Sequence, residues 1–120
     1  MKVPYILVFN AQGVLEKIYK TSTVGKVKYA IKRNIRKMSE CIEDIREWLQ
    51  ADAQDNDRDI NGSLPTNDTG FRERFEKFLR EESCEIEPYL IPERYTETFD
   101  GVTGEEESFI SWLISPDDNN

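Results

Sequence analysis

Apolar residues recur along the middle of the chain with the spacing of an α-helix. From residue 24 to residue 49 they follow one another at steps of three or four, a period that a β-strand does not have. The spacing predicts one continuous helix about 39 Å long, at a rise of 1.5 Å per residue. We expect this stripe, the helix seam, to pack in the protein core; a homodimer contact through the seam at residues 24–49 is the alternative. The seam consists of Val24, Val27, Ile31, Ile35, Met38, Ile42, Ile45 and Leu49.

The N-terminal segment has the pattern of a β-hairpin. Residues 5–9 are apolar and rich in residues that favour strands, and residues 14–19 form a second segment of the same kind. Between them, residues 10–13 end in Gly13, which suits the left-handed backbone of a tight turn. We therefore predict two antiparallel strands before the long helix.

The C-terminal half has the pattern of a second helix followed by three strands. The apolar face of this shorter helix consists of Phe71, Phe75, Phe78 and Leu79. Residues 84–91, 94–99 and 108–114 read as strands. The order ββααβββ predicts an α+β fold, in which an antiparallel sheet of four to five strands packs one long and one shorter helix on one face.

The length and the polar segments indicate a single domain. A chain of 120 residues fits one domain, which we place at residues 1–115. Residues 51–69 are polar and contain glycine and proline, so we predict a long loop there, and residues 116–120 are expected to fray. No apolar run approaches the roughly 20 residues that span a bilayer, so we expect no membrane contact.

The composition argues against catalysis. The chain has no histidine, which is the commonest general base and metal ligand, and this excludes histidine-dependent nucleophile pairs. No glycine-rich phosphate loop is present, and nothing singles out a pair among the many carboxylates. We therefore expect a protein that is not an enzyme and that has no cofactor. The two cysteines, Cys41 and Cys84, fit reduced thiols in the cytoplasm better than a disulfide framework.

The net charge of −8 conceals an uneven distribution. Residues 1–40 carry nine basic and two acidic side chains, a net of +7, whereas residues 41–120 carry seven basic and 22 acidic ones, a net of −15. The two portions either face each other within the fold or face separate partners.

The first candidate site is a basic segment within the long helix. Its cations are suited to neutralise phosphates, and Tyr29 is suited to stack or to form a hydrogen bond. The cations precede the acidic half of the helix, an order that opposes the helix macrodipole and suggests compensation from elsewhere. That compensation is either a ligand phosphate, an acidic partner or the acidic C-terminal strands of the same chain. The cations are Lys26, Lys28, Lys32, Arg33, Arg36 and Lys37.

The second candidate site is an acidic surface in the last third of the chain. Unpaired carboxylates are too costly to bury, so the acids there must form a negative face, densest around residues 100–107. Rows of carboxylates can occupy the positions of phosphates, mimic nucleic acid and attract a basic partner; the plainer interpretation is solubility alone. The residues that we predict to bind the partner are Glu93, Glu97, Asp100, Glu105, Glu106 and Glu107.

A third candidate site lies in the long loop. Oxygen-bearing residues occupy positions one, three, five and twelve of residues 57–68, and a glycine stands at position six. The stretch resembles the calcium loop of the EF-hand family, in which such oxygens surround one ion. It departs from that family at Pro65 and in having Asp68 as its last ligand; the alternative is an acidic linker with an Asn-Gly turn. The resemblance implies calcium as the cofactor and Asp57, Asp59, Asn61, Ser63 and Asp68 as ligands.

Together these features predict a non-catalytic, acidic protein-binding module. The expected partner is a basic protein, such as a nuclease or another nucleic-acid-binding protein, which the module inhibits in the cytoplasm. Immunity proteins against toxic nucleases and phage-encoded anti-defence proteins are examples of this class. The alternatives are a nucleic-acid-binding protein that uses the basic helix at residues 26–37, although direct binding of nucleic acid is less expected, and a calcium-binding protein that uses residues 57–68.

Overall fold

The computed structural model describes residues 1–59, 64–65 and 67–116, and helices dominate it. The helices are α1 (Tyr5–Thr21), α2 (Gly25–Lys37), α3 (Ser39–Asp55), α4 (Thr69–Glu81) and the short α5 (Gly104–Phe109). The strands are β1 (Lys2–Pro4), β2 (Ser83–Glu85), β3 (Ile91–Pro92) and β4 (Ile114–Ser115), and 3₁₀ turns occupy Glu93–Thr98 and Ser111–Leu113.

The fold is mostly helical, and the predicted α+β fold is wrong. Within the described residues the strands form two small sheets, in which β1 is antiparallel to β2 and β3 is parallel to β4. That part of the chain has no antiparallel sheet of four to five strands in the order ββααβββ. The predicted strand at 94–99 is mainly a 3₁₀ turn, and the one at 108–114 spans the end of α5, a second 3₁₀ turn and the start of β4.

Local hydrogen bonds explain why the C-terminal segments turn instead of extending. The hydroxyl of Thr96 donates to the carbonyl oxygen of Glu93 at 2.8 Å within the first 3₁₀ turn. Thr103 begins α5 with a capping box, in which its side chain accepts from the N–H of Glu106 and its own N–H donates to the Glu106 carboxylate. Bonds of this kind compete with strand pairing, and the alternation of apolar residues does not reveal them.

Helix α1 replaces the predicted hairpin. Its buried residues recur at helical spacing and are Tyr5, Val8, Ala11, Val14, Leu15 and Ile18. Gly13, which we predicted to form the turn, lies on the exposed side with open space around it. The strand propensity of residues 5–9 is overridden because the apolar stripe of α1 packs against α2, α3 and α4 together.

Helices α2 and α3 replace the predicted single long helix. The two meet at Met38, whose N–H is shared between the carbonyl oxygens of Asn34 and Ile35. The break lets both helices contact α1, which at 1.5 Å per residue is only about 26 Å long. A straight helix of about 39 Å would run past it. All eight seam residues are buried or half-buried at the core, so their predicted core role is confirmed. The homodimer through the seam stays a prediction.

Helix α4 confirms the predicted second helix. Asp68 caps it by accepting a hydrogen bond from the N–H of Phe71 at 3.1 Å. On the apolar face, Phe75 and Phe78 stack on the ring of Trp48 from α3, with ring centres 5.3 and 5.1 Å apart. This aromatic cluster joins α3 to α4.

One buried carboxylate forms an ion pair with the segment after α3. Asp52, which we predicted to lie in the loop at 51–69, belongs instead to α3, and its side chain is 8% exposed. It forms ion pairs with Arg74 of α4, at 2.9 Å, and with Arg58. The described part of the loop therefore begins after α3, and Arg58 anchors it to Asp52 of that helix, which Arg74 in turn links to α4.

None of the described helices combines the length and the apolar character needed to cross a bilayer. Of the tail predicted at 116–120, residues 117–120 lie outside the described residues, and Pro116 is exposed.

Candidate anion-binding surface

Helix α2 has a buried side and a basic side. Its buried residues are Val27, Ala30, Ile31 and Asn34. With 3.6 residues per turn, the six cations of the predicted basic segment fall on the remaining circumference. We call this side the basic face, and it consists of Lys26, Lys28, Lys32, Arg33, Arg36 and Lys37.

Cations of the basic face contact aromatic rings instead of carboxylates. Lys28 and Lys32 place their ammonium groups 5.0 and 5.8 Å from the ring centre of Tyr19 on α1. The guanidinium of Arg33 lies 5.8 Å from the ring of Tyr29 and 5.4 Å from that of Tyr89. Among the described residues, no ion pair involves any of the six cations. Cation–π contacts therefore position Lys28, Lys32 and Arg33.

The break at Met38 changes the interpretation of the charge order. In one continuous helix the cations would oppose the macrodipole. Instead, Arg36 and Lys37 lie in the last turn of α2, and Glu40 lies in the first turn of α3. Both placements stabilise their helices. The predicted opposition to one helix dipole is therefore wrong for Arg36, Lys37 and Glu40, whereas Lys26 in the first turn of α2 still opposes the dipole of its own helix.

A basic groove runs between α1 and α2. Its volume is about 730 Å³. Three cations, Lys20, Lys32 and Arg36, line it around the ring of Tyr19, and Glu16 is the one carboxylate among the described lining residues. Because Lys20 belongs to α1, the groove extends the basic face beyond α2.

On the other side of α2, residues 86–92 form a strap across the helix. Asn34, which is 1% exposed, holds the strap through two hydrogen bonds with the backbone of Tyr89. The fully buried side chain of Ile91 holds the C-terminal end of the strap against the core. The strap places the ring of Tyr89 edge to face with that of Tyr29, with centres 5.6 Å apart.

The strap and α2 enclose a cleft of about 610 Å³, which we call the tyrosine cleft. Tyr29, Tyr89 and Tyr95 line it together with the cations Lys26 and Arg94. The first two tyrosines are 53% and 40% exposed. Exposed aromatic residues gathered around a cavity of this size are typical of a ligand site.

The predicted acidic residues fall into two groups. Glu106 is structural, since it belongs to the capping box of Thr103 and pairs with Lys17 of α1 at 2.9 Å. These bonds, first the one from the Thr103 backbone and then the one from Lys17, lower the pKa of Glu106. The exposed members are Glu93, Glu97, Asp100, Glu105 and Glu107. Glu93 and Glu107 line one depression of about 460 Å³, so the 3₁₀ turn and α5 contribute to one acidic surface.

The described ion pairs between the basic and acidic portions of the chain involve the N-terminus and α1. The pKa of Glu87 is lowered mainly by the amino group of Met1 and also by the charge of Lys37, so one acidic residue lies near the basic face. The amino group of Met1 pairs with Glu85 and Glu87, at 3.2 and 2.8 Å. The second described link is the pair between Lys17 and Glu106. In the part of the chain that the structure describes, acidic C-terminal residues therefore neutralise the N-terminus and α1, and they form no ion pair with α2.

The calcium-loop prediction reaches only partly into the described residues. Asn61 and Ser63 lie outside them, and Asp68 uses its carboxylate to cap α4. Asp57 follows α3 with a positive φ of 55°, and Asp59 is exposed. Within the described ranges, no group of three or more acidic or cysteine side chains is placed to hold a metal ion. The calcium site stays a prediction.

The two cysteines are neighbouring free thiols. Sγ of Cys84 on β2 donates to the carbonyl oxygen of Val3 at 3.8 Å, and the thiol of Cys41 on α3 interacts electrostatically with that of Cys84. Burial is the main cause that raises the pKa of each thiol. A raised pKa leaves little reactive thiolate at neutral pH. The pair is therefore structural and is not a candidate nucleophile.

The sequence pattern does not reveal the residues that shape the tyrosine cleft. The predicted strands at 84–91 and 94–99 conceal Tyr89 and Tyr95, and Asn34 was not singled out. One signal was available, because Asn34 lies between Ile31 and Ile35 on the apolar side of α2, where a polar side chain needs a partner.

Comparisons with protein-family models, with curated proteins and with solved structures found no match to this chain.

Proposed function

We propose that the protein is a non-catalytic nucleic-acid-binding protein whose interface is the basic face of α2. One observation supports this most strongly: none of the six cations is in a described ion pair, and tyrosine rings lie beside three of them. Cations neutralise phosphates, and aromatic rings stack on bases. The sequence alone favours an acidic inhibitor, but Glu106 is held in an ion pair within the fold, whereas no described ion pair involves a cation of the basic face.

The net charge of −8 determines the conditions under which such binding is measurable. At about 0.1 M salt the screening length is roughly 10 Å, so the cations next to the ligand outweigh carboxylates elsewhere on the surface. Each phosphate contact releases counterions, and the affinity therefore falls steeply as salt is added. We expect binding at low salt and little at high salt.

Fluorescence anisotropy with a labelled single-stranded oligothymidylate tests this function. The variant Lys32→Ala/Arg36→Ala removes two cations from the basic groove. Its matched control, Arg72→Ala/Lys77→Ala, removes one arginine and one lysine that are exposed on α4. We expect the first variant to bind more weakly, with a salt slope reduced by about 1.4, since each contact with a single strand contributes roughly 0.7. The control should bind like the wild type.

Three results would reject this function. The first is no binding by the wild type at low salt, and the second is an equal loss in both variants. The third is that a polyglutamate peptide binds as tightly as the oligonucleotide, which would point to an acidic protein as the partner.

The exposed carboxylates support a second candidate function, the acidic inhibitor of a basic protein such as a nuclease. Glu105 and Glu107 are exposed in the first turn of α5, on either side of the structural Glu106. Surfaces of this kind attract basic partners and select among them. The variant Glu105→Lys/Glu107→Lys leaves Glu106 and its bonds in place.

Binding of an oligolysine peptide, measured by calorimetry, tests the second candidate. The matched control is Glu81→Lys/Glu82→Lys, which reverses two exposed charges at the end of α4. Loss of binding in the α5 variant alone supports an interface there. An equal loss in both variants shows an effect of net charge, and it removes the reason to place the interface at α5.

We assign both candidate functions to the cytoplasm. The support is the pair of cysteines, Cys41 and Cys84, which are neighbours and are nevertheless free thiols. Neighbouring thiols persist in reducing compartments.

A further inference from the structure

We propose that the tyrosine cleft binds an unstacked base, so that the protein selects single-stranded over double-stranded nucleic acid. The inference builds on the proposed function and specifies which form of nucleic acid the basic face binds. The cleft adjoins the basic face on α2. Lys26 belongs to both, and Tyr29 of the same helix also lines the cleft. A strand whose phosphates lie along α2 therefore passes the cleft.

Two exposed rings form the surface that receives the base. Tyr29 and Tyr89 meet at an interplanar angle of 80°, so neither ring covers the face of the other in a stack. A planar base that packs against one ring meets the edge of the second, an arrangement that aromatic groups favour. Arg33 contacts both rings and donates a hydrogen bond from Nη1 to the Tyr29 hydroxyl at 3.3 Å. This contact holds the receiving surface in place before the base arrives.

The remaining lining suits a base and its phosphate. Apolar atoms come from the strap, where Leu90 is 46% exposed between Tyr89 and the buried Ile91. The volume of about 610 Å³ lies within the range of small-ligand sites, roughly 300–1,000 Å³. Positive charge comes from Lys26 in the first turn of α2, at a helix start that no side chain caps. The helix dipole adds to the attraction of Lys26 for a phosphate.

The strap makes the cleft a permanent feature of the fold. The two hydrogen bonds between the Asn34 side chain and the Tyr89 backbone fix the position of that backbone. The ring of Tyr89 takes no part in these bonds. A base in a duplex is paired and stacked and does not reach such a cleft without unpairing, whereas a single strand turns its bases outward at little cost. Selectivity for single strands follows from this difference.

Three probes in fluorescence anisotropy separate contact with the base from contact with phosphates. They are an oligothymidylate, an abasic oligonucleotide of equal length, which has the same phosphates without bases, and a DNA duplex. We expect the wild type to bind the oligothymidylate about tenfold more tightly than the abasic strand, because stacking on aromatic side chains is worth that much or more per base. The duplex should resemble the abasic strand.

Tyr29→Ala/Tyr89→Ala should abolish the preference for the oligothymidylate over the abasic strand. Both rings are exposed, and the hydrogen bonds of Tyr89 to Asn34 involve its backbone, so circular dichroism and thermal unfolding should match the wild type. The control is Leu64→Ala, an exposed apolar side chain that does not line the cleft. It should retain the full preference.

Equal binding of the oligothymidylate and the abasic strand by the wild type overturns the inference about the cleft and leaves the proposed function standing. Failure of all three probes to bind at low salt overturns both. If a polyglutamate peptide displaces the oligothymidylate from the wild type and from Tyr29→Ala/Tyr89→Ala equally well, the interface recognises charge alone, and the inference is again overturned.

Discussion

The side chain of Asn34 and the backbone of Tyr89 form two reciprocal hydrogen bonds. Nδ2 of Asn34 donates to the carbonyl oxygen of Tyr89, and the N–H of Tyr89 donates to Oδ1, both at 2.8 Å. The amide is buried on α2, 55 residues before the strap that it holds. The pair thereby determines the position of Tyr89 beside Tyr29 and the shape of the tyrosine cleft.

Replacing Asn34 should destabilise the protein. Asn34→Ala leaves the backbone N–H and carbonyl of Tyr89 without their partners, and we expect a loss of about 1–3 kcal/mol in the free energy of unfolding. Denaturant unfolding followed by circular dichroism measures the loss. Asn67→Ala, at an exposed asparagine, is the control and should be neutral. A stability equal to that of the wild type would show that the strap does not depend on this amide.

Gly13 distinguishes the observed α1 from the hairpin that the sequence suggests. The residue lies on the exposed side of the helix with open space around it. Gly13→Ala should therefore raise the free energy of unfolding by about 0.5–1 kcal/mol. Gly101→Ala is the contrasting variant, because Gly101 has a φ of +70° that alanine tolerates poorly, and it should destabilise. Destabilisation by Gly13→Ala would favour a turn at residues 10–13.

Asp52 should be the most important of the described carboxylates for stability. It is 8% exposed on its side chain and pairs with Arg58 and Arg74. Asp52→Asn should lower the free energy of unfolding by about 1–3 kcal/mol, because hydrogen bonds to a charged carboxylate are lost at a buried position. The loss is limited because the half-exposed guanidinium of Arg74 can be hydrated by solvent instead. Denaturant unfolding compares it with Asp55→Asn, an exposed position in the same helix. Equal effects of the two variants would contradict the anchoring role of Asp52.

Glu106 should make stability depend on acid pH. The backbone of Thr103 and then the ammonium of Lys17 lower the pKa of Glu106 below its ordinary value of 4.5. The folded protein therefore binds this proton more weakly than the unfolded chain. The stabilisation is present above about pH 4.5 and is lost as the pH falls through the lowered pKa.

Thermal unfolding at pH 7 and near pH 3 checks this dependence. Glu106→Gln should melt at a lower temperature than the wild type at pH 7, and the difference should shrink at the acid pH. Glu105→Gln is the matched control at the exposed neighbour and should change little at either pH. A difference between Glu106→Gln and the wild type that is the same at both pH values would contradict an effect of ionisation.

The sequence predicts those elements whose determinants are local. Helix α4 has both its apolar stripe and its cap, Asp68, within a few residues of each other. The seam residues also reach the core as expected, because their spacing survives a break in the helix. The break at Met38 depends on the length of α1, because both α2 and α3 pack against that helix. The apolar pattern of residues 24–49 contains no information about the length of α1 and therefore does not predict the break.

The sequence predicts the basic face of the candidate site but not the strap. The cations of the basic face form one dense run, so charge counting finds them. The strap is a long-range feature, because it is held against α2 by the hydrogen bonds between Asn34 and Tyr89, 55 residues apart, and by the burial of Ile91. Similarly, a residue count cannot show that Glu106 is engaged in the fold while Glu105 and Glu107 are exposed.

Chemical-shift mapping of the full chain with an oligothymidylate at low salt tests the central claim most directly. We predict that the amide signals that shift belong to α2, to the segment around Tyr19 and Lys20 and to the strap, and that those of α5 stay in place. The largest shifts at residues 104–109, or no shifts at any concentration, would contradict binding of nucleic acid at the basic face.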